Sequence, residues 1–326
     1  MINLHRRAMI SAAKSRLDYW DGVTVTTPQL VDGYYEIYDG ATLMGFRKLP
    51  ADGQYHKARL TADFAINDWK DFETWTATNA PPNRLVSYAD GAAQGEFDGQ
   101  GHTIYGLYIA MLASDAFFIN TSYADTSLHN IKFKGCGIFR QNLVTCYKSY
   151  NLIFEGNHIY HSTNNTGLLL REMYGTPNIH SILFKGKSTG YYQHGALIGS
   201  SLSSETIKNI GIIGTVTDTD QNYYMGSIIG GNQPVVLQNC WQSASLVKPG
   251  SNARALAAPG STFTNCYCDS TKIATGYVQG TPKTTVEMQT QAYVDELNAN
   301  IAADPTLPEG CTPWKLGTDN YPTLDF

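Results

Sequence analysis

Gly95–Ile109 reads "GEFDGQGHTIYGLYI", four glycines in fifteen residues followed by a short apolar/polar alternation. A single hairpin would account for both features. Six later segments give the stretch another meaning. They are "LHNIKFKG" from Leu128, "YNLIFEG" from Tyr150, "IHSILFKG" from Ile179, "IKNIGIIG" from Ile207, "LQNCWQSA" from Leu237 and "FTNCYCDS" from Phe263. The seven align on Gly106, Asn130, Asn151, Ser181, Asn209, Asn239 and Asn265, at intervals of 24, 21, 30, 28, 30 and 26 residues. Five residues after the anchor stands a small residue in six of the seven, at Gly135, Gly156, Gly186, Gly214, Ala244 and Ser270.

Alternation with period two over six residues is a strand signature, and a glycine beyond it suits a turn that ends the strand. A unit of about 26 residues with short strands and no helix cannot bury its own apolar face. Copies stacked ~4.8 Å apart cover one another. The spacing therefore predicts a parallel β-solenoid, all-β, with the right-handed coil that parallel crossovers favour. Asparagines at equivalent places would hydrogen-bond up the stack. Columns of Ile, Leu and Phe, with Cys240 over Cys266, would fill the interior. A second register appears in "TGLLLRE" (Thr166–Glu172), "HGALIGS" (His194–Ser200) and "MGSIIGG" (Met225–Gly231), which should be another face of the same coils.

The chain has 326 residues, net charge −5 and only 16% charged residues, a balance that argues against nucleic acid as a partner. No apolar run reaches the ~20 residues of a membrane helix, so membrane insertion is not expected. No signal-peptide core is visible near the N-terminus. The six cysteines, at 136, 146, 240, 266, 268 and 311, form no zinc-type spacing, and buried free thiols are expected.

"FDGQGHTIYGLYI", "GALIG", "GSIIGG" and "NCYCD" resemble the GLUG-motif β-helix proteins found on the surfaces of gut bacteria. "WDGVTVTTP", "GYYEIYDGATLMGF" and "KARLTADFAI" are similar to the entry module of such helices, and "TTVEMQTQAYVDELNAN" with "PWKLGTDNYPTLDF" to their closing segment. The resemblance runs from about Trp20 to the C-terminus and implies a capped, surface-presenting helix. Four parts are expected: an amphipathic attachment helix over 1–20, an entry module over 21–90, the β-helix over 91–278 and a C-terminal cap over 279–326. Asp39 could cap a short helix through Met44–Phe46, and Arg59–Ile66 would start the stack. Thr284 with Glu287 forms a capping box, after which Tyr293, Leu297 and Ile301 share a helical face suited to lie over the last coil. Ile10, Ala13, Leu17 and Trp20 line one face of the N-terminal helix. It would dock the chain into a larger assembly, a phage virion or a bacterial surface, and could do so as a homotrimer.

"QHGALIGS" looks like the Gly-His-Gly segment of polygalacturonases, but the paired carboxylate segments of those enzymes are missing, leaving His194 as a rung residue. Glu172 has no evident partner. Asp218 and Asp220 share a face if extended, which turn chemistry also explains. His158 and His161 lack a third ligand nearby. Aromatics carry the stronger signal. Tyr191, Tyr192, Tyr223 and Tyr224 precede Gly-x-x-Ile-Gly copies, with Tyr105, Tyr108, Trp241 and Tyr267 on neighbouring strands. Stacked on successive rungs they would form an exposed ladder suited to sugar faces or a partner protein. The expectation is a non-enzymatic adhesion or receptor-binding protein without cofactor or metal. The rival readings are a polysaccharide-cleaving β-helix and a structural decoration protein without a ligand.

Overall fold

The computed structural model describes residues 17–49, 56–76, 78–85, 94–110, 126–139, 148–159, 167–173, 178–201, 206–219, 224–248, 252–274, 276–308 and 310–326. The fold is all-β and β-helix-like, built on one long, mostly parallel sheet. Its strands follow chain order: Tyr34–Ile37, His56–Leu60, Gln94–Asp98, Ser127–Phe139, Lys148–Ile159, Asn178–Gly190, Thr206–Asp218, Trp241–Val247, Tyr267–Asp269 and Thr281–Lys283. The parallel stack thus crosses both of the boundaries expected at 91 and 278, starting at Tyr34 and ending at Lys283. Its first full strand is His56–Leu60, a few residues ahead of the expected Arg59–Ile66.

Six of the seven anchors stand in one column. His129, Tyr150, His180 and Lys208 pair in register immediately before them. Asn130, Asn151, Ser181, Asn209, Asn239 and Asn265 all sit at φ between 51° and 56°, the left-handed region where asparagine is tolerated best among side-chain-bearing residues. The first four make corners inside strands, and Asn239 and Asn265 make them in short breaks between strands. The Asn side chains also bond along the stack: Asn151 Nδ2 donates to Asn130 Oδ1 at 2.9 Å, Asn209 to Ser181 Oγ at 3.1 Å and Asn265 to Asn239 Oδ1 at 3.3 Å.

Gly106 is the exception. Tyr105 pairs with Lys134, and the Gly106 amide donates to the Lys134 carbonyl, so Gly106 lies level with Gly135 rather than Asn130. Between the paired residues Asp98/His129 and Thr103/Lys132 the upper rung carries two extra residues, and Gln100 and Gly101 take the left-handed corner there. The second small-residue column also behaves differently from expectation. Gly156, Gly186, Gly214 and Ala244 pair in line while the strands run on through them. A Cβ on Gly186 would lie 1.8 Å from the Gly156 carbonyl oxygen, and one on Gly214 2.0 Å from that of Gly186. These positions let rung backbones approach and do not end the strands.

The interior is continuous from Ile37 to Cys268. Phe133, Phe154 and Phe184 stack through it, the last two with rings 5.6 Å apart and nearly parallel. The "TGLLLRE", "HGALIGS" and "MGSIIGG" copies line the other side, as expected. Leu168 bonds to Ala196, Ala196 to Ser227, and Ile228 to Leu256. The last of these bonds identifies a fourth copy, "RALAAPG" from Arg254.

Helix α1, Gly40–Arg47, carries the expected Asp39 N-cap in a full capping box with Thr42. Helix α2, Thr285–Met288, follows the Thr284–Glu287 capping box, and helix α3 spans Gln291–Ala303. The face of α3 was expected over the last coil. Instead Tyr293, Val294 and Leu297 pack with Trp314 against the outward column of Leu183, Trp241 and Tyr267, on the flank of the sheet. Residues 304–326 continue back along that flank. Asp304 meets Lys208 and Asn239, Thr312 bonds to Asn151, Ser181 and Asn209, and the Lys132 ammonium donates to the main-chain oxygen of Phe326. Where the amide ladder breaks, between Asn151 and Ser181 and between Asn209 and Asn239, this strap supplies the partners.

Residues 1–16 of the expected attachment helix lie outside the described residues. Leu17–Trp20 are not helical: Tyr19 bridges in parallel to Ala65, and the Trp20 amide donates to the Ala65 carbonyl.

Candidate recognition surface

The strap separates the expected aromatic ladder into two sets. Trp241 and Tyr267 do stand on adjacent rungs, but they are 0% and 6% exposed. Tyr293 lies edge-on to both rings and Trp314 edge-on to Trp241. Neither can meet a ligand, which corrects their place in the ladder. The cause is local hydrophobicity: an outward Ile153–Leu183–Trp241–Tyr267 column is too apolar to leave in water. Tyr108 is buried as well, its hydroxyl donating to the Thr76 carbonyl at 2.6 Å.

The other set faces solvent. Tyr191 is exposed, and Tyr192 and Tyr224 are half-buried, while Tyr223 lies outside the described residues. The pairing of Gly195 with Gly226 places Gln193, not Tyr192, level with Tyr224, so the two tyrosine pairs are offset by one residue. Two residues that the sequence reading passed over complete the surface. Gly226 pairs with Arg254, and Arg254 with Tyr277, which carries the column onto two further rungs. The Arg254 guanidinium lies 3.7 Å from the centre of the Tyr277 ring and 4.9 Å from that of Tyr224. A planar cation between two phenol faces holds both rings at fixed tilt without burying them. Tyr277 stays 57% exposed and Val278 50%. The signal for this stack was the fourth copy, in which arginine occupies the column position of Gly167, Gly195 and Gly226.

Among the described residues the candidates for chemistry are not assembled. Asp218 forms a 2.8 Å ion pair with Lys248, and both side chains are fully buried. His194 is buried against Ser188, which also approaches His158 at 3.3 Å. The Glu172 side chain, His161 and Asp220 lie outside the described residues. Among the described residues no group of three His, Cys, Asp or Glu is arranged to hold a metal ion. The described cysteines are free, with Cys136, Cys240, Cys266 and Cys268 buried.

A charged cluster stands at the head of the stack, on the outward column Asp98–His129–Tyr150–His180–Lys208. Glu96 accepts from Tyr34 at 3.0 Å and meets Lys57 at 3.1 Å, while His129 bridges Glu96 at 3.1 Å and Asp98 at 3.4 Å. The imidazole stacks on Tyr150, rings 4.7 Å apart and parallel. Burial pushes His129 down, but Asp98 and Glu96 outweigh it and raise the imidazole to about 9. The His129 hydrogen bond, helped by Lys57 and Tyr34 against desolvation, lowers Glu96 to about 2. Raised above its ordinary 6.5, His129 stabilises fully below that value and loses the contribution as pH climbs through 9. Glu96 contributes above its ordinary 4.5 and loses it as pH falls through 2. The cluster is therefore most stabilising between these ordinary values. Unfolding free energies of the wild type and His129→Gln, measured across pH, should converge above pH 9, with the wild type ahead at pH 6 by on the order of 3 kcal/mol. Parallel curves would refute the assignment.

No family model matches the chain, and no curated protein matches it. A crystal structure from Bacteroides ovatus, described as a "putative immunoglobulin A1 protease", is similar to it with a TM-score of 0.61 over 92% of this chain and 95% of that one, at 15% identity. At that identity the likeness is one of fold. No helix among the described residues is long and apolar enough to cross a membrane.

Proposed function

We propose that this chain is a right-handed parallel β-helix of the GLUG-like surface type that presents its Tyr191–Tyr192–Tyr224–Arg254–Tyr277 face to a surface glycan or a protein receptor and performs no chemistry. The Arg254 guanidinium clasped between two tyrosine rings, one of them largely exposed, carries the reading. Rigid rings with polar tips lose little entropy on contact, and Tyr and Arg dominate recognition surfaces for that reason. The right hand follows from the preference of parallel crossovers. Residues 1–20 would join the chain to a larger assembly, a virion or a cell surface.

Cleavage is the second reading, favoured by the name of the Bacteroides ovatus structure and by the Glu96–His129 cluster beside Tyr34. One set of assays separates the two. The wild type should bind glycan arrays or receptor-bearing cells, and the Arg254→Ala/Tyr277→Ala double variant should bind about tenfold or more weakly with an unchanged thermal midpoint. Turnover of protein or polysaccharide by the wild type that disappears in His129→Gln would overturn the proposal. So would equal binding by the double variant.

A further inference from the structure

The C-terminal hairpin, strands Trp314–Leu316 and Pro322–Leu324, stands against the flank of the coil and encloses a groove of about 380 Å³. The groove belongs to neither the tyrosine face nor the Glu96–His129 cluster. It lies within the size range of small-molecule clefts, roughly 300–1,000 Å³.

Its charge runs against that of the chain. The whole sequence carries a net −5, yet four lysines, Lys132, Lys134, Lys185 and Lys315, line the groove with only Glu155 and Asp319 among its acids. Two of the lysines are neutralised: Lys185 meets Asp319 at 2.6 Å, and Lys315 meets Asp325 at 2.8 Å. Of the other two, Lys134 is exposed and has no carboxylate partner among the described residues, while Lys132 donates at 2.7 Å to the main-chain oxygen of Phe326, the last residue of the chain, with its ammonium 4.9 Å from the Phe326 ring. Burial, with a further push from Lys315, holds Lys132 below the usual ammonium range. Lys132 and Lys134 are two apart on one strand, so both project outward to the same side, roughly 7 Å from each other.

Above them is a flat wall. Tyr105 pairs directly with Lys134 on the neighbouring rung, and its ring rests on the Trp69 indole with centres 4.4 Å apart. The indole fixes the phenol in place, and a fixed aromatic face suits the C–H face of a pyranose. Thr318 and Thr323 add hydroxyls at the rim. A compact ammonium neutralises a single carboxylate well.

We propose that this groove binds a carboxylate-bearing sugar, with Lys134 pairing the carboxylate and Tyr105 stacking on the ring. The site is independent of the tyrosine face, so either can fail without the other. Calorimetric titration of the full chain with 3′-sialyllactose and digalacturonate, against lactose, inorganic phosphate and sulfate, tests it. At least one carboxylated sugar should bind about tenfold or more tightly than lactose and than either inorganic anion, with affinity falling as salt is raised. Lys134→Gln, at an exposed position without an ion pair, should weaken that binding about tenfold or more and leave the thermal midpoint unchanged, while Arg254→Ala/Tyr277→Ala should leave it intact. The proposal is overturned if neither carboxylated sugar binds, if lactose binds equally, if phosphate or sulfate binds as tightly as the sugar, or if Lys134→Gln binds like the wild type.

Discussion

Lys248→Met should destabilise the coil by about 3–5 kcal/mol, far more than the loss of a surface ion pair. The ammonium sits 2.8 Å from Asp218, on the rung above, and neither side chain is exposed to solvent. Removing the cation leaves a carboxylate in the interior without its counter-charge. The matching double variant, Asp218→Leu/Lys248→Met, removes both charges and should recover most of the loss. Urea unfolding of the three proteins, followed by far-UV circular dichroism, gives the comparison. A single variant with the wild-type midpoint would show that the pair is not closed off from water. Rungs in a solenoid touch only their neighbours, so a broadened transition in the single variant would mean that the coil unzips from this layer.

Gly186→Ala should cost about 2–6 kcal/mol. The new methyl would lie 1.8 Å from the Gly156 carbonyl oxygen, a contact that only backbone movement relieves, and φ at this residue is +149°. Overpacking of that kind typically costs ~1–3 kcal/mol and the strained backbone ~1–3 kcal/mol more. Gly33→Ala is the matched control: its φ is +82°, yet nothing lies within 4 Å of the added Cβ, so only the conformational cost of about 1 kcal/mol should appear. Equal effects from the two would mean that rung spacing adapts to a methyl. The midpoint of thermal unfolding distinguishes these outcomes.

The repeat was readable because every rung must turn the same corner. That corner needs a left-handed residue, which restricts it to Asn, Gly and the occasional Ser, and the interior needs apolar side chains in alternation. Those demands recur at every layer and so leave a period. The Gly106 register was not readable, since Gly106 belongs to the Gly135 column, five residues past the asparagine corner, and both columns show a small residue flanked by the same alternation. The aromatic ladder divided for a different reason. Alternation shows that Trp241 and Tyr267 point away from the interior, but not that α3 and Trp314, from 24 to 73 residues further on, cover them. Arg254 was missed because its copy replaces the glycine that marks the others. Glu96 and His129 come from rungs 33 residues apart and carry no shared motif.

The amino-acid sequence by itself determined the stacked strands, the asparagine corners, the apolar interior and the helix caps at Asp39 and Thr284. All of these rest on interactions within a rung or between one rung and its equivalent. Tertiary structure alone decided which outward faces remain free. A segment that turns back along the flank buries one aromatic column, completes the broken amide ladder and encloses the lysine groove. The pairings of that strap obey no period, because side chains on the coil select its path one contact at a time.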